Sequence, residues 1–232
     1  MKKVFAFMFL LSLIFGVTTA QSSKDTRNLK GFTKVNFGIS GNLQIKIGPE
    51  FSVVLEGVKG DIDEVITEVS SDKLLIKQES WRFNFKEKVN VYITMPEIEA
   101  LSVSGSGKAE IMDPIKEADN LTLNVSGSGR LITTDLEADS FNSNISGSGS
   151  ISVGGSGMAD RGEIVISGSG NYSGESFEID HLSVVVSGSG SCFCKAGDSL
   201  DATISGSGNV TYAGNPKIDA RTSGSGHVRA AK

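Results

Sequence analysis

Few side chains in this 232-residue sequence have the type and spacing that catalysis demands. Its two histidines, His181 and His227, stand far apart, whereas acid–base chemistry needs titratable groups that converge. No Gly-x-Ser-x-Gly elbow sits between a strand and a helix. Cys192 and Cys194 are the only cysteines. A Cys-x-Cys pair can begin a metal site, but no second pair or nearby histidine completes the ligand set. The two read instead as small core-facing residues. A disulfide between them is disfavoured, because alternate residues of one strand stand near or beyond the usual Cα separation. Gly154–Asp160 approaches a calcium-binding nonapeptide, but its aspartate comes one position late and the pattern does not recur. These residues offer no catalytic, cofactor-binding or metal set. Trp81, Phe83 and Phe85 alternate with Arg82, Asn84 and Lys86, giving one aromatic and one polar face. Core packing is the simpler expectation, and an exposed aromatic strand that stacks on sugar rings is the alternative.

Any such residue needs a scaffold to position it, and repetition supplies the clue. Ser-Gly-Ser-Gly begins at Ser104, Ser126, Ser146, Ser167, Ser187, Ser205 and Ser223, in steps of 18 to 22 residues. A degenerate eighth copy, Gly154-Gly155-Ser156-Gly157, falls inside one step. A flexible Gly/Ser linker would lack the apolar alternation that flanks each copy. One residue before the motif stand Val103, Val125, Ile145, Ile166, Val186, Ile204 and Thr222. Two residues after it stand Ala109, Leu131, Ile151, Tyr172, Cys192, Val210 and Val228. Period-two alternation on both sides of a glycine turn means strand, tight turn, strand. Antiparallel hairpins would share that local pattern, but the even spacing favours stacked coils whose like positions line up inside. The expectation is an all-β chain in which residues 99–232 form a parallel β-helix, or flattened β-solenoid, with about 18–22 residues per coil. Glycine suits the corner because it takes positive φ and has no Cβ to crowd the corner above.

A second column runs seven residues before the motif: Glu97, Asp119, Asp139, Asp160, Asp180 and Asp198, broken by Pro216. Stacked about 4.8 Å apart, neighbouring carboxylates would repel by about 1 kcal/mol in water. The simpler expectation is that each accepts backbone N–H bonds in a turn opposite Gly-Ser-Gly. The alternative is a ladder of paired carboxylates that holds hard cations such as calcium.

Upstream of the repeats the chain changes character. Met1-Lys2-Lys3, the apolar run Val4–Gly16 and the small residues before Gln21 read as a secretory signal over 1–20, too short to span a bilayer. Export to the periplasm, the outer surface or the medium is expected, with no membrane span in the mature chain. Residues 21–98 contain strand-like runs and turns without the glycine motif, as opening coils or a cap. The formal net charge of −5 becomes more negative once Lys2 and Lys3 are removed, which excludes a nucleic-acid partner. Nothing obvious covers the backbone edge near His227–Ala230, so self-association is expected.

Gly31-Phe32-Thr33-Lys34-Val35, the run Val89–Pro96 and the Ser-Gly-Ser-Gly repeats together resemble the putative auto-transporter adhesin head-GIN domain family. The resemblance spans about residues 27–228. It implies a β-helical superhelix with Gly-Ser-Gly turns between its sheets, export by Gram-negative bacteria, a role in adhesion and a trimeric state. It carries over no catalytic residue. The function expected is therefore a non-enzymatic, exported, adhesin-like or envelope-interaction protein that meets a glycan or protein ligand. The alternatives are a carbohydrate-binding module built on the aromatic strand and a polysaccharide-degrading β-helix enzyme.

Overall fold

A computed structural model of the chain describes residues 22–80 and 82–231. The expected leader and Trp81 lie outside the described residues. Within them, nineteen strands join one continuous hydrogen-bonded sheet wound into a solenoid. The first part holds β1 (Ser22–Arg27), β2 (Lys34–Gly38), β3 (Asn42–Ile47), β4 (Ser52–Val58), the short helix α1 (Lys59–Asp63), β5 (Val65–Ser70), β6 (Lys73–Gln78) and β7 (Asn90–Met95). The repeats supply β8 (Ala100–Gly105), β9 (Lys108–Ile111), β10 (Ile115–Gly127), β11 (Arg130–Thr133), β12 (Leu136–Gly147) and β13 (Ser150–Val153). They continue through β14 (Gly157–Gly168), β15 (Asn171–Gly188), β16 (Ser191–Gly206), β17 (Asn209–Ala213), β18 (Lys217–Gly224) and β19 (His227–Ala230).

Every coil of the repeat region pairs in parallel with the next, motif against motif. Val103, Val125, Ile145, Ile166, Val186, Ile204 and Thr222 stand in one register column. Leu131 lies between Ala109 and Ile151, and Tyr172, Cys192, Val210 and Val228 continue that column. All but Thr222 and Val228, in the last coil, are buried. Stacking therefore buries an apolar stripe that one coil alone would leave wet.

The corner uses its two glycines differently. Gly127 takes φ +103°, and the next N–H, of Ser128, donates to the Gly105 carbonyl at 2.8 Å. Gly129 is buried, and a Cβ there would stand 2.6 Å from the Val103 side chain. The eighth triplet, Gly155-Ser156-Gly157, does not join this stack. It lies at another corner, between β13 and β14, where the Ser156 N–H donates to Asp135 at 2.7 Å.

The N-terminal part continues the same core by a route that leaves chain order. The coil β2–β3 is wedged between β6–β7 on one side and β8–β9 on the other, parallel to both. Beyond β7 the direction reverses: β4 pairs antiparallel with β7, and β1 antiparallel with β4. Beyond β6, β5 is antiparallel too. Ile62 of α1 packs into the core at this end. At the other end β18 is exposed along its whole length, with Ile218 46% accessible.

Candidate functional site

Strand alternation sends every second residue outward, and on β7, β3 and β9 these residues form two short columns. One runs Asn90, Asn42, Lys108 and on to Arg130 of β11; the other runs Tyr92, Gln44, Glu110. Neighbours within a column are about 4.8 Å apart. The Asn42 amide donates to the Asn90 carbonyl oxygen at 2.8 Å, and Lys108 pairs with Glu110 at 3.0 Å. Tyr92 stands among them 37% exposed. All of them except Arg130 line a groove of about 220 Å³.

A second depression shares Asn42 and Lys108 with the first and adds Lys88, Arg130, Ser106 and Ser128 from the Gly-Ser-Gly corner. Lys88 reaches this place on the loop between β6 and β7. The buried carboxylate of Asp61 in α1 fastens that loop, accepting the N–H groups of Lys86 and Glu87 at 3.1 and 3.0 Å. Sequence reasoning assigned none of these residues to a binding site, although Ser106 and Ser128 belong to the repeat. One signal was present: the position just after the motif is basic in the first two coils, Lys108 and Arg130, and polar and uncharged in the next.

The residues that the sequence did single out are dispersed. Phe83 and Phe85 make an edge-on contact at 5.6 Å, half-buried, in the loop rather than in a strand. The expected aromatic strand is thus absent among the described residues. The backbone there is held by Asp61, and Gln78 donates to the carbonyls of Ser80 and Phe83. The acidic column stands where expected in order, but at a bend within the strands. Asp139 and Ser140 both face outward between the buried Ala138 and Phe141. The carboxylates of Asp119, Asp139, Asp160, Asp180 and Asp198 make no hydrogen bond or ion pair within the described residues, so they do not cap backbone N–H groups. That task falls to Asp61, Asp113 and Asp135. Among the described residues no group of three or more His, Cys, Asp and Glu gathers as a metal site.

Cys192 and Cys194 are buried and unbonded to each other by sulfur. Its hydrogen bond to Cys194, and then burial, push the Cys192 thiol well above its ordinary range. Burial likewise pushes up the hydroxyl of Tyr172, which stacks on Cys192. His181 is exposed at the bend, with Nδ1 3.0 Å from the Ser199 hydroxyl; His227 lies in the last coil.

Residues 31–216 match the family described as "putative auto-transporter adhesin, head GIN domain". Among curated proteins none matches. Several solved structures share the fold, three of which follow. A "putative adhesin" from Bacteroides fragilis is 22% identical, covering 92% of this chain and 98% of its own, with a TM-score of 0.85. A "putative adhesin" from Parabacteroides distasonis is 21% identical over 91% and 98%, with a TM-score of 0.76. A "putative lipid binding protein" from the same species is 22% identical over 91% and 97%, with a TM-score of 0.71.

Proposed function

The chain belongs to the head-GIN domain family, and from that premise we propose that it is an exported, non-enzymatic adhesin-like protein whose outer strand faces meet a ligand on a cell or envelope surface. The observation that carries this reading is the form of the solenoid itself. Its interior is filled with stacked apolar side chains, and its chemistry is spread over long, regular outer columns. Such a surface suits extended contact better than turnover, which needs groups gathered at one point. No helix among the described residues is long and apolar enough to cross a membrane. Export rests on the apolar leader at residues 1–20.

Two experiments test this. Purified residues 21–232, fluorescently labelled, should bind intact cells saturably, with unlabelled protein competing. Binding that never saturates, or none to any cell tried, overturns the adhesive role. The protein recovered from expressing cells should begin at Gln21; a retained Met1 overturns export through a cleaved leader.

A further inference from the structure

Resting on the adhesive reading above, we propose that the joined grooves on β3, β7, β9 and β11 form a binding site for an acidic oligosaccharide. The site takes one uncharged ring beside Tyr92 and the anionic group of a neighbouring ring between Lys88, Lys108 and Arg130.

The uncharged half is argued from its donors and acceptors. The Asn42–Asn90 hydrogen bond uses one donor and one acceptor, leaving the Asn90 amide N–H groups and the Asn42 carbonyl oxygen for a ligand. The Gln44 side chain makes no hydrogen bond among the described residues and offers both functions. Glu110 keeps one carboxylate oxygen beyond its bond to Lys108. Adjacent donors and acceptors on a flat sheet, beside an exposed aromatic ring, complement vicinal hydroxyls on one edge of a sugar and C–H groups on its face. A groove of about 220 Å³ accommodates one ring, not an extended apolar molecule.

The charged half is argued from electrostatics. Lys108 and Arg130 are register neighbours on β9 and β11, so two cationic side chains leave the sheet about 4.8 Å apart. Charges rooted on adjacent strands repel, by about 1 kcal/mol in water if they stand as close as the backbones and by more where solvent is partly excluded. Among the described residues Arg130 and Lys88 have no acidic partner, and Lys108 shares only Glu110. In a chain of net charge −5, three cations around one depression form a local reversal of sign. A carboxylate or sulfate between them removes the repulsion and gains charge-assisted hydrogen bonds, while the exposed Ser106 and Ser128 hydroxyls border it. Asn42 and Lys108 belong to both depressions, so the two halves are one or two residues apart on the same strand. Glu110 fixes the direction, because it repels an anion from the Tyr92 end.

Calorimetric titration of residues 21–232 tests this, using oligogalacturonates, a sulfated oligosaccharide series and an uncharged β-linked glucose series of equal length. Either acidic series should bind, weakening as salt rises, with the uncharged series at least about tenfold weaker. Tyr92→Ala should weaken binding about tenfold while preserving the salt dependence. Arg130→Ala and Lys88→Ala should weaken it about tenfold or more and flatten that dependence. The surface variant Lys217→Ala, remote on β18, should leave binding unchanged. No binding to either acidic series overturns the site, as does binding that Tyr92→Ala and Arg130→Ala leave intact. Cell binding separates this from the broader role. Wild-type protein that coats cells but takes no acidic oligosaccharide sinks the groove and spares adhesion. Protein that takes the oligosaccharide, with loss in the variants, yet ignores cells does the reverse.

Discussion

At the scale of single residues, the corner makes a sharp demand. Gly127→Val places a β-branched side chain at φ +103°, with its Cβ 2.8 Å from the Gly105 carbonyl oxygen. The conformational strain alone costs roughly 1–2 kcal/mol, whereas the exposed Ser128→Ala should change stability by about 0.5 kcal/mol or less. Urea melts that rank the two the other way would show that the corner tolerates a side chain. Inside and outside differ as strongly. Val125→Asp buries an unpaired charge and should cost about 3 kcal/mol or more, against about 0.5 kcal/mol for Ser102→Asp. Ser102 lies partly exposed, accepting a hydrogen bond from Asn124 at 3.2 Å, which a carboxylate can also accept. The same alternation predicts chemical silence for the thiols. Thiolate is the reactive form, and Cys192 is buried with its thiol held well above its ordinary range. Alkylating reagents should label it only as the protein unfolds; rapid labelling of the native state would contradict the packing.

At the scale of elements, the sequence disclosed most where like positions recur. The inward columns of β8 to β19 were legible because seven motif copies fix the register without any long-range knowledge. The placement of β2–β3 was not, since pairing with β6 and β8 depends on which edges lie free, and nothing local encodes that. The alternation at Trp81–Phe85 pointed to a strand, but Asp61 claims the N–H groups of Lys86 and Glu87 that a ladder would need. The groove escaped notice because its two columns are assembled from four separate stretches of chain. Asp61→Ala should therefore cost about 1–3 kcal/mol and speed tryptic cleavage at Lys86 and Lys88; unchanged cleavage would mean that the loop has other anchors. Lys34 joins neighbouring coils, reaching Asp72 at 2.6 Å and Glu99 at 3.2 Å. Its hydrogen bond to Asp72 holds that carboxyl below its ordinary range and raises the Lys34 ammonium above its own. The carboxylate contribution is thus present above the ordinary aspartate pKa and lost as pH falls through the depressed one. The ammonium contribution is present below the ordinary lysine pKa and lost as pH rises through the raised one. The melting temperatures of wild type and Lys34→Met should converge below about pH 4; a gap that persists there would assign the effect to packing.

At the scale of the molecule, the two ends differ. Antiparallel strands and α1 close one, whereas among the described residues β18 pairs only with β16 and leaves Ile218 exposed. An open edge invites another strand, so light scattering at tens of micromolar should give a mass above that of one chain, and Ile218→Lys should lower it. A monomeric mass for the wild type would leave that edge unused. The opposite end bears on how the chain comes to be folded at all. Because β2–β3 is held between β6–β7 and β8–β9, a chain emerging N-terminus first has no parallel neighbour for its earliest coil until residue 95 is out, and lacks the second until residue 111. Its first contacts span dozens of residues and close slowly. Every later coil then needs only the one before it. The molecule thus behaves like a zip that stays open until its leading teeth have met and then closes coil by coil.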